Sequence, residues 1–207
     1  MPANKQTSPQ TLAKAGYHHG DLEPALIAAV RELVERDGVE GFSIADACKQ
    51  LGVSTAAPYK HFANKHDILA GVARAGFGGL AQGMERARDA EPDDAVRRIG
   101  DMGKAYVSFA IANPGTFKLM FGATPNVKDN DTVRGTGFRC FGVLISEVER
   151  YLGPAGDAAE AQNLAVMLWT FVHGVASLSI DRDYEAVRTD IDAERLIEAA
   201  TVRLLLG

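Results

Sequence analysis

Apolar residues recur every three or four positions along most of this 207-residue chain, and no segment alternates apolar with polar over a convincing length. The pattern predicts an all-α protein. The first strong stripe is Leu22, Leu26, Ala29, Val30, Leu33 and Val34. Asp21 is placed to cap that helix, Pro24 falls in its first turn, where a missing N–H costs little, and Gly38 closes it. Ser43 followed by Asp46 has capping-box spacing and opens a short helix through Ile44, Ala47 and Leu51 that stops at Gly52. Ser54 then caps a helix over 55–62. Asn64, with Asp67 at its third position, caps a longer helix running to about Ala90. Further helices are predicted near 94–112, 116–121, 132–152, 157–180 and 193–206. They are separated by Asn113-Pro114-Gly115, the polar run Thr124 to Asp131, Gly153-Pro154, and the stretch Asp181 to Asp192.

The most informative stretch is Phe42 to Leu69, FSIADACKQLGVSTAAPYKHFANKHDIL. Two short helices meet at Gly52, where the turn calls for a positive φ, and Ile44, Ala47, Leu51, Val53 and Phe62 supply the apolar contacts that lock one against the other. This is helix-turn-helix spacing. The outward positions of the second helix are Thr55, Ala56, Ala57, Tyr59, Lys60 and His61, small at its start and hydrogen-bonding or cationic further on. Small side chains let a helix N-terminus approach base edges in a DNA major groove, while Tyr59, Lys60 and Lys65 can hold phosphates. Ser43 reads as a helix cap, as a phosphate contact, or as both.

The net charge of −5 by itself argues against nucleic acid, because phosphates repel carboxylates. Its distribution alters that picture. Residues 1–66 carry seven basic and seven acidic side chains, so the excess of acid lies wholly beyond them. Between 47 and 66 stand Lys49, Lys60, Lys65, His61 and His66 without a single carboxylate, and the acid-free segment 1–20 reads as a flexible basic arm.

Those residues resemble the TetR family of bacterial regulators. Its pattern of a Ser/Thr-capped helix, Ala, a Gly-Val turn, then Tyr, His or Tyr, Phe and a downstream Lys is met by Ser43, Ala47, Gly52-Val53, Tyr59, His61-Phe62 and Lys65. The likeness covers roughly residues 17–70. Pro58 departs from it, standing where most members have an aliphatic residue. As the fourth helical residue after Ser54, it removes about one intrahelical hydrogen bond and is expected to tighten the first turn without breaking the helix. In the second half, NPGTFKLMFG (Asn113 to Gly122) and LWTFVHGVASL (Leu168 to Leu178) resemble the Trp-His-Gly subgroup of TetR-type C-terminal domains, which implies a ligand-sensing, dimer-forming helical domain.

Phe117, Met120, Phe121, Phe138, Phe141, Met167, Trp169, Phe171 and His173 concentrate aromatic and thioether groups in that half. They read either as a plain core or as the lining of a ligand pocket, for which Phe117, Met120, Phe121, Phe141, Trp169 and His173 are the candidates. Trp169 and His173 share a helical face, and His173 either meets a polar ligand group or satisfies a neighbouring carbonyl. Leu164 to Leu178 is apolar nearly all round, so a partner subunit is expected to cover it together with the stripe of helix 193–206. Leu168, Val175, Ile197 and Leu204 are the candidate dimer contacts. In the long helix from Lys65, Gly71, Gly76, Gly78, Gly79 and Gly83 either permit bending or allow close packing.

No uninterrupted apolar run approaches the roughly 18 residues of a membrane span, and the polar N-terminus lacks a secretory stretch, so no membrane partner and a cytoplasmic location are expected. Cys48 and Cys140 lie far apart without metal-ligand spacing and read as small apolar fillers. The pair His18-His19 and the glycines Gly76 to Gly79 lack the setting of a metal or phosphate site, and no catalytic set, cofactor or metal is expected. The sequence thus predicts three parts: an arm (1–20), a helix-turn-helix module (21–66) and a helical sensing and dimerisation domain (67–207). As a whole they predict a homodimeric regulator, a repressor, that binds a pseudo-palindromic double-stranded operator and is released by a small apolar or aromatic effector. A ligand-independent regulator, or a helical carrier or enzyme, are the other readings.

Overall fold

The computed structural model of the protein describes residues 22–90, 93–187 and 191–207. The expected arm over 1–20, its two histidines and the Asp21 cap lie outside the described residues. Within them the chain forms nine α-helices and no strand: α1 (Leu22–Gly41), α2 (Ile44–Leu51), α3 (Lys65–Ala90), α4 (Ala95–Ala112), α5 (Pro114–Phe121), α6 (Asp131–Leu152), α7 (Ala158–Ile180), α8 (Asp183–Val187) and α9 (Ala193–Leu206). The starts are set by short polar side chains that accept first-turn N–H groups: Asp94 for α4, Asn130 for α6, Asp157 for α7 and Asp192 for α9. At α3, Asn64 Oδ1 accepts from Asp67 N at 3.1 Å while Asp67 Oδ2 accepts from Ala63 N at 3.1 Å.

Several expectations are corrected. Ser43 has the extended backbone of an N-cap, but its hydroxyl makes no bond to the first turn of α2, so the capping box does not close. That helix start is exposed at Ala45 and Asp46, where water can meet the free donors. The segment 55–62 is not an α-helix. It is a tight 3₁₀ turn over Pro58–Lys60, in which Ala57 N bonds to Ser54 O at 3.0 Å and Lys60 N to Ala57 O at 3.2 Å. Pro58 is buried and has no N–H to give Ser54 O, so the i→i+4 ladder cannot start there and the i→i+3 pattern takes over. The stretch expected to be loop after Asp181 holds the one-turn helix α8. Finally, α7 is long and apolar enough by composition to cross a membrane, its best window reaching a mean hydropathy of 1.5. It is nevertheless packed along one face on α4, α6 and α9 as a core helix.

Long α3 runs through the centre, against α1, α4, α5 and α6, and α4 carries α7 and α9 on its other side. One continuous apolar core extends from Leu26 and Val30 in α1 to Val175 in α7 and Ile197 in α9. Between α4 and α6 it encloses an ion pair, Arg98 Nε to Glu147 Oε1 at 2.6 Å, that is sealed from water on both sides. The glycines of α3 serve packing at two places. A Cβ on Gly71 would lie 3.0 Å from Ile27 Cδ1, and one on Gly76 would lie 2.6 Å from Met120 Sδ. At Gly78, by contrast, a Cβ would enter open space.

The tightest contact between the first helix and the rest is at the start of α5. Gly115 N and Thr116 N both donate to the carboxylate of Glu35 in α1, at 2.7 and 2.9 Å. These are first-turn donors with no partner inside their own helix, so a carboxylate there gains both hydrogen bonds and the favourable end of the helix dipole. The approach is so close that a Cβ on Gly115 would lie 2.6 Å from Val34 O, which is backbone and cannot rotate away. Replacing Gly115 by Ala should therefore cost about 1–3 kcal/mol through overpacking, read as a lowered midpoint in urea denaturation, whereas Gly78→Ala should be neutral or stabilising. Equal midpoints for Gly115→Ala and the wild type would show that α5 is not seated this tightly.

Candidate functional site

Two features stand out once the helices are placed: an exposed face around the 3₁₀ turn and an apolar cavity in the second half. The first is built by α2, the turn and the start of α3. Gly52 closes α2 at φ 67 and ψ 28, with its N–H and that of Val53 bonded back to Lys49 O and Cys48 O. A side chain with a Cβ is strained in that conformation, so glycine fixes the angle at which the chain leaves α2. Ala47, Phe42, Phe62 and Pro58 are buried beneath the turn, with Ile44, Leu51 and Val53 half-buried. Outward stand Thr55, Ala56, Lys60 and His61, all exposed, and Tyr59 at 53% exposure, while Ala57 and Ser43 are half-buried. Lys65 is held differently from the others. Its ammonium sits 4.2 Å above the centre of the Phe42 ring and 3.5 Å from Phe42 O, so its reach is set by α1 and α2 as much as by its own helix.

The cavity lies among α3, α4, α6 and α7 and has a volume of about 410 Å³, within the range that small-molecule sites occupy. Phe121, Phe141 and Trp169 of the expected pocket residues lie on its wall, and Phe138, 74% exposed, stands at its edge. Phe117, Met120 and His173 do not line it. Phe117 and Met120 are buried, Phe117 stacking on His173 at 5.3 Å and Met120 packing on Gly76, and Met167 and Phe171 also lie off the wall. Tyr106, which no local sequence pattern singles out, organises this region. Trp169 Nε1 donates to the Tyr106 oxygen at 3.2 Å, and the Tyr106 hydroxyl meets His173 Nδ1 at 2.8 Å. Tyr106, whose oxygen accepts from Trp169, can give its own proton to Nδ1 of a neutral imidazole. Burial holds His173 below its ordinary value in the same sense, raises the Tyr106 phenol, and pushes the Cys140 thiol on the wall up to about 12.

The candidate dimer contacts fall mostly on the inner faces of their helices. Leu168, Val175 and Ile197 are already buried within the subunit, Ile197 and Val172 seated against Gly103 of α4, where a Cβ would lie 3.0 and 3.1 Å from them; Leu204 is half-buried. The large apolar residues that α7 and α9 leave exposed are Val166, Met167, Leu178, Val202 and Leu206. On the same outer side of α7, a Cβ at Gly174 would meet nothing. Among the described residues no group of three His, Cys, Asp or Glu side chains is placed to hold a metal ion.

Two sequence families match the chain: bacterial regulatory proteins of the tetR family over residues 26–72, and the tetracyclin repressor-like C-terminal domain over residues 99–204. An HTH-type transcriptional regulator of Bacillus subtilis, YobS, is 29% identical over 104 residues, 48% of this chain and 51% of that protein. The nucleoid occlusion factor SlmA of Vibrio cholerae is 31% identical over 109 residues, 52% and 55% of the two chains. The chain thus spans about half the length of the curated relatives it matches. A solved protein of unknown function from Rhodococcus sp. RHA1 superposes with a TM-score of 0.79 at 28% identity, covering 94% of this chain and 98% of that one. The regulator FadR of B. subtilis, solved with stearoyl-CoA, gives 0.67 at 15% identity, covering 89% and 97%, a likeness of fold alone.

The neutral His173 has a consequence for stability. Its folded value lies below the ordinary 6.5, so the unfolded chain binds the proton first. The contribution of the neutral imidazole is complete above about pH 6.5 and is lost as pH falls through the lower folded-state value. Thermal melts between about pH 8 and pH 5 should show a melting temperature that drops on the acid side. A His173→Asn variant, whose amide oxygen can still accept from Tyr106, should show a smaller drop. An identical drop in both proteins would assign it to other groups.

Proposed function

Because the chain belongs to the TetR family of bacterial regulatory proteins, we propose that it is a transcriptional repressor that binds a pseudo-palindromic operator as a homodimer and leaves it when a small molecule occupies the cavity. The observation that carries the DNA-binding reading is the exposed turn from Thr55 to His61, held rigid from beneath by Pro58 and Phe62 and set in a stretch without a carboxylate. Thr55, Ala56 and Ala57 are short enough to approach base edges; Tyr59, Lys60, His61, Ser43 and Lys65 take the phosphates around them. An exposed apolar stripe on α7 and α9 supports the homodimer, with Val166, Met167 and Leu178 facing Val202 and Leu206 of the two-fold mate or their own equivalents. The curated relatives YobS and SlmA, a transcriptional regulator and a nucleoid factor by name, fit the same class of activity.

Ligand release would run through α5, which lies on the cavity at one end and is bonded to α1 at the other. Phe121 near its end lies on the cavity wall, edge-on to Phe77 at 5.3 Å, while its first turn is tied to Glu35 of α1. A ligand that displaces Phe121 shifts α5, and α1 with α2 and the turn must follow or lose the Glu35 bonds. FadR shows that a helical domain of this fold can take a long acyl ligand.

Sequencing DNA fragments selected by the purified protein should yield one inverted-repeat motif; recovery of random sequence would defeat the operator reading. Lys60→Ala should weaken operator and non-operator DNA alike and lower the slope of log affinity against log salt by about 1, because a phosphate contact carries no base information. Met167 is 49% exposed, so Met167→Glu should leave the subunit folded yet convert a dimer in sedimentation to a monomer with much weaker operator binding. A variant that stays dimeric would move the interface off α7.

A further inference from the structure

The cavity wall is almost wholly carbon and sulfur. Its inner polar groups are few and uncharged: Trp169 Nε1 bonded to Tyr106, Tyr106 to His173, Cys140 kept as a neutral thiol by burial, and the hydroxyl of Thr201. A ligand carboxylate or ammonium brought inside would find no charged side chain to pair with, and one hydroxyl does not offset the cost of burying an ionised group in such surroundings. Any charge on a ligand must therefore stay at the rim.

The rim is not neutral. Lys128, in the connection before α6, and Arg134, near the start of α6, both border the cavity and are exposed, next to the projecting ring of Phe138. No Asp or Glu is among the lining residues, on a protein whose net charge is −5. Arg134 Nη2 is paired with Asp131 at 2.6 Å, an outward carboxylate of the same helix turn, and Lys128 makes no ion pair among the described residues. A bound anion would meet Lys128 directly and share the guanidinium of Arg134, which has donors to spare.

We propose that the cavity takes an amphipathic anion: a carboxylic acid with an extended apolar body, its hydrocarbon filling the space beside Phe121, Phe141 and Trp169 and its carboxylate held at the rim by Lys128 and Arg134. This assignment rests on the reading of the cavity as the effector site. A neutral ligand of the same length loses the two rim contacts, and a cationic one is repelled by them. The head group is thus a specificity element separate from the apolar fit.

The test compares dodecanoate, dodecan-1-ol and dodecylamine at concentrations below micelle formation, read by Trp169 fluorescence and melting temperature. Trp169 is the single tryptophan of the chain and stands on the wall, so its emission reports the cavity alone. Dodecanoate should bind about tenfold more tightly than dodecan-1-ol, as expected for two solvent-exposed charge contacts, with dodecylamine weakest. In a Lys128→Gln/Arg134→Gln variant, whose changes lie on the surface and leave the core intact, acid and alcohol should bind alike. Equal binding of acid and alcohol to the wild type, or an acid preference that survives in the double variant, would overturn the head-group assignment while leaving the cavity as a binding site. If none of the three altered Trp169 emission or melting temperature, the effector-site reading itself would fall, and this proposal with it.

Discussion

The first turn of a helix has backbone donors that its own ladder cannot satisfy, and in α5 two of them end on a side chain from a helix 80 residues earlier in the chain. The requirement is strict because the site is partly buried, and an abandoned N–H there costs as much as a lost hydrogen bond. Much of the architecture can be traced to it. Gly115 has to lack a side chain, Pro114 begins the helix without an N–H that would need an acceptor, and α5 must lie where it bridges α1 and α3. Phe117 and Phe121, one turn apart, then fall on Tyr106 and Phe77 and complete the aromatic cluster beside the cavity. The helix-turn-helix face and the cavity are thus joined by a short rigid element with polar bonds at one end and aromatic contacts at the other.

Local signals read well from sequence because they act within a turn or two. Asn64 with Asp67, the glycine at 52 and the helix limits near 112, 152 and 180 are of this kind, since each depends on residues only a few positions apart. Pro58 is equally visible, but its effect depends on how short the segment is. A longer helix tolerates a single missing donor, whereas an eight-residue segment has too few remaining bonds to outweigh a 3₁₀ start. What could not be read were contacts between distant positions. Nothing local distinguishes Glu35 from other surface carboxylates, and Tyr106 gains its place only by meeting Trp169 and His173, 63 and 67 residues away.

The candidate dimer contacts show the same limit in another form. A helix apolar on all sides announces that both faces are covered, and the sequence alone does not say which face is inside. Gly103 decides it, by opening a groove in α4 into which Val172 and Ile197 settle. Their neighbours on the inner face, Leu168 and Val175, turn inward with them, and Met167, Leu178 and Val202 are left outside. One missing side chain on a third helix therefore sets the rotation of two others.

The cavity also bears on how long the molecule lasts. Atoms around an apolar hollow of about 410 Å³ have no neighbours across the gap, so the empty fold forgoes dispersion contacts that a solid core would have. An occupant restores them, and by mass action raises the free energy of unfolding in proportion to the logarithm of its concentration. In a cell, proteases and chaperones draw on the small unfolded fraction, and turnover follows it. With the ligand proposed above, a chain built this way would have its abundance coupled to ligand supply: cleared fastest when empty and persisting when filled, its level would carry a record of recent ligand exposure that outlives the binding event.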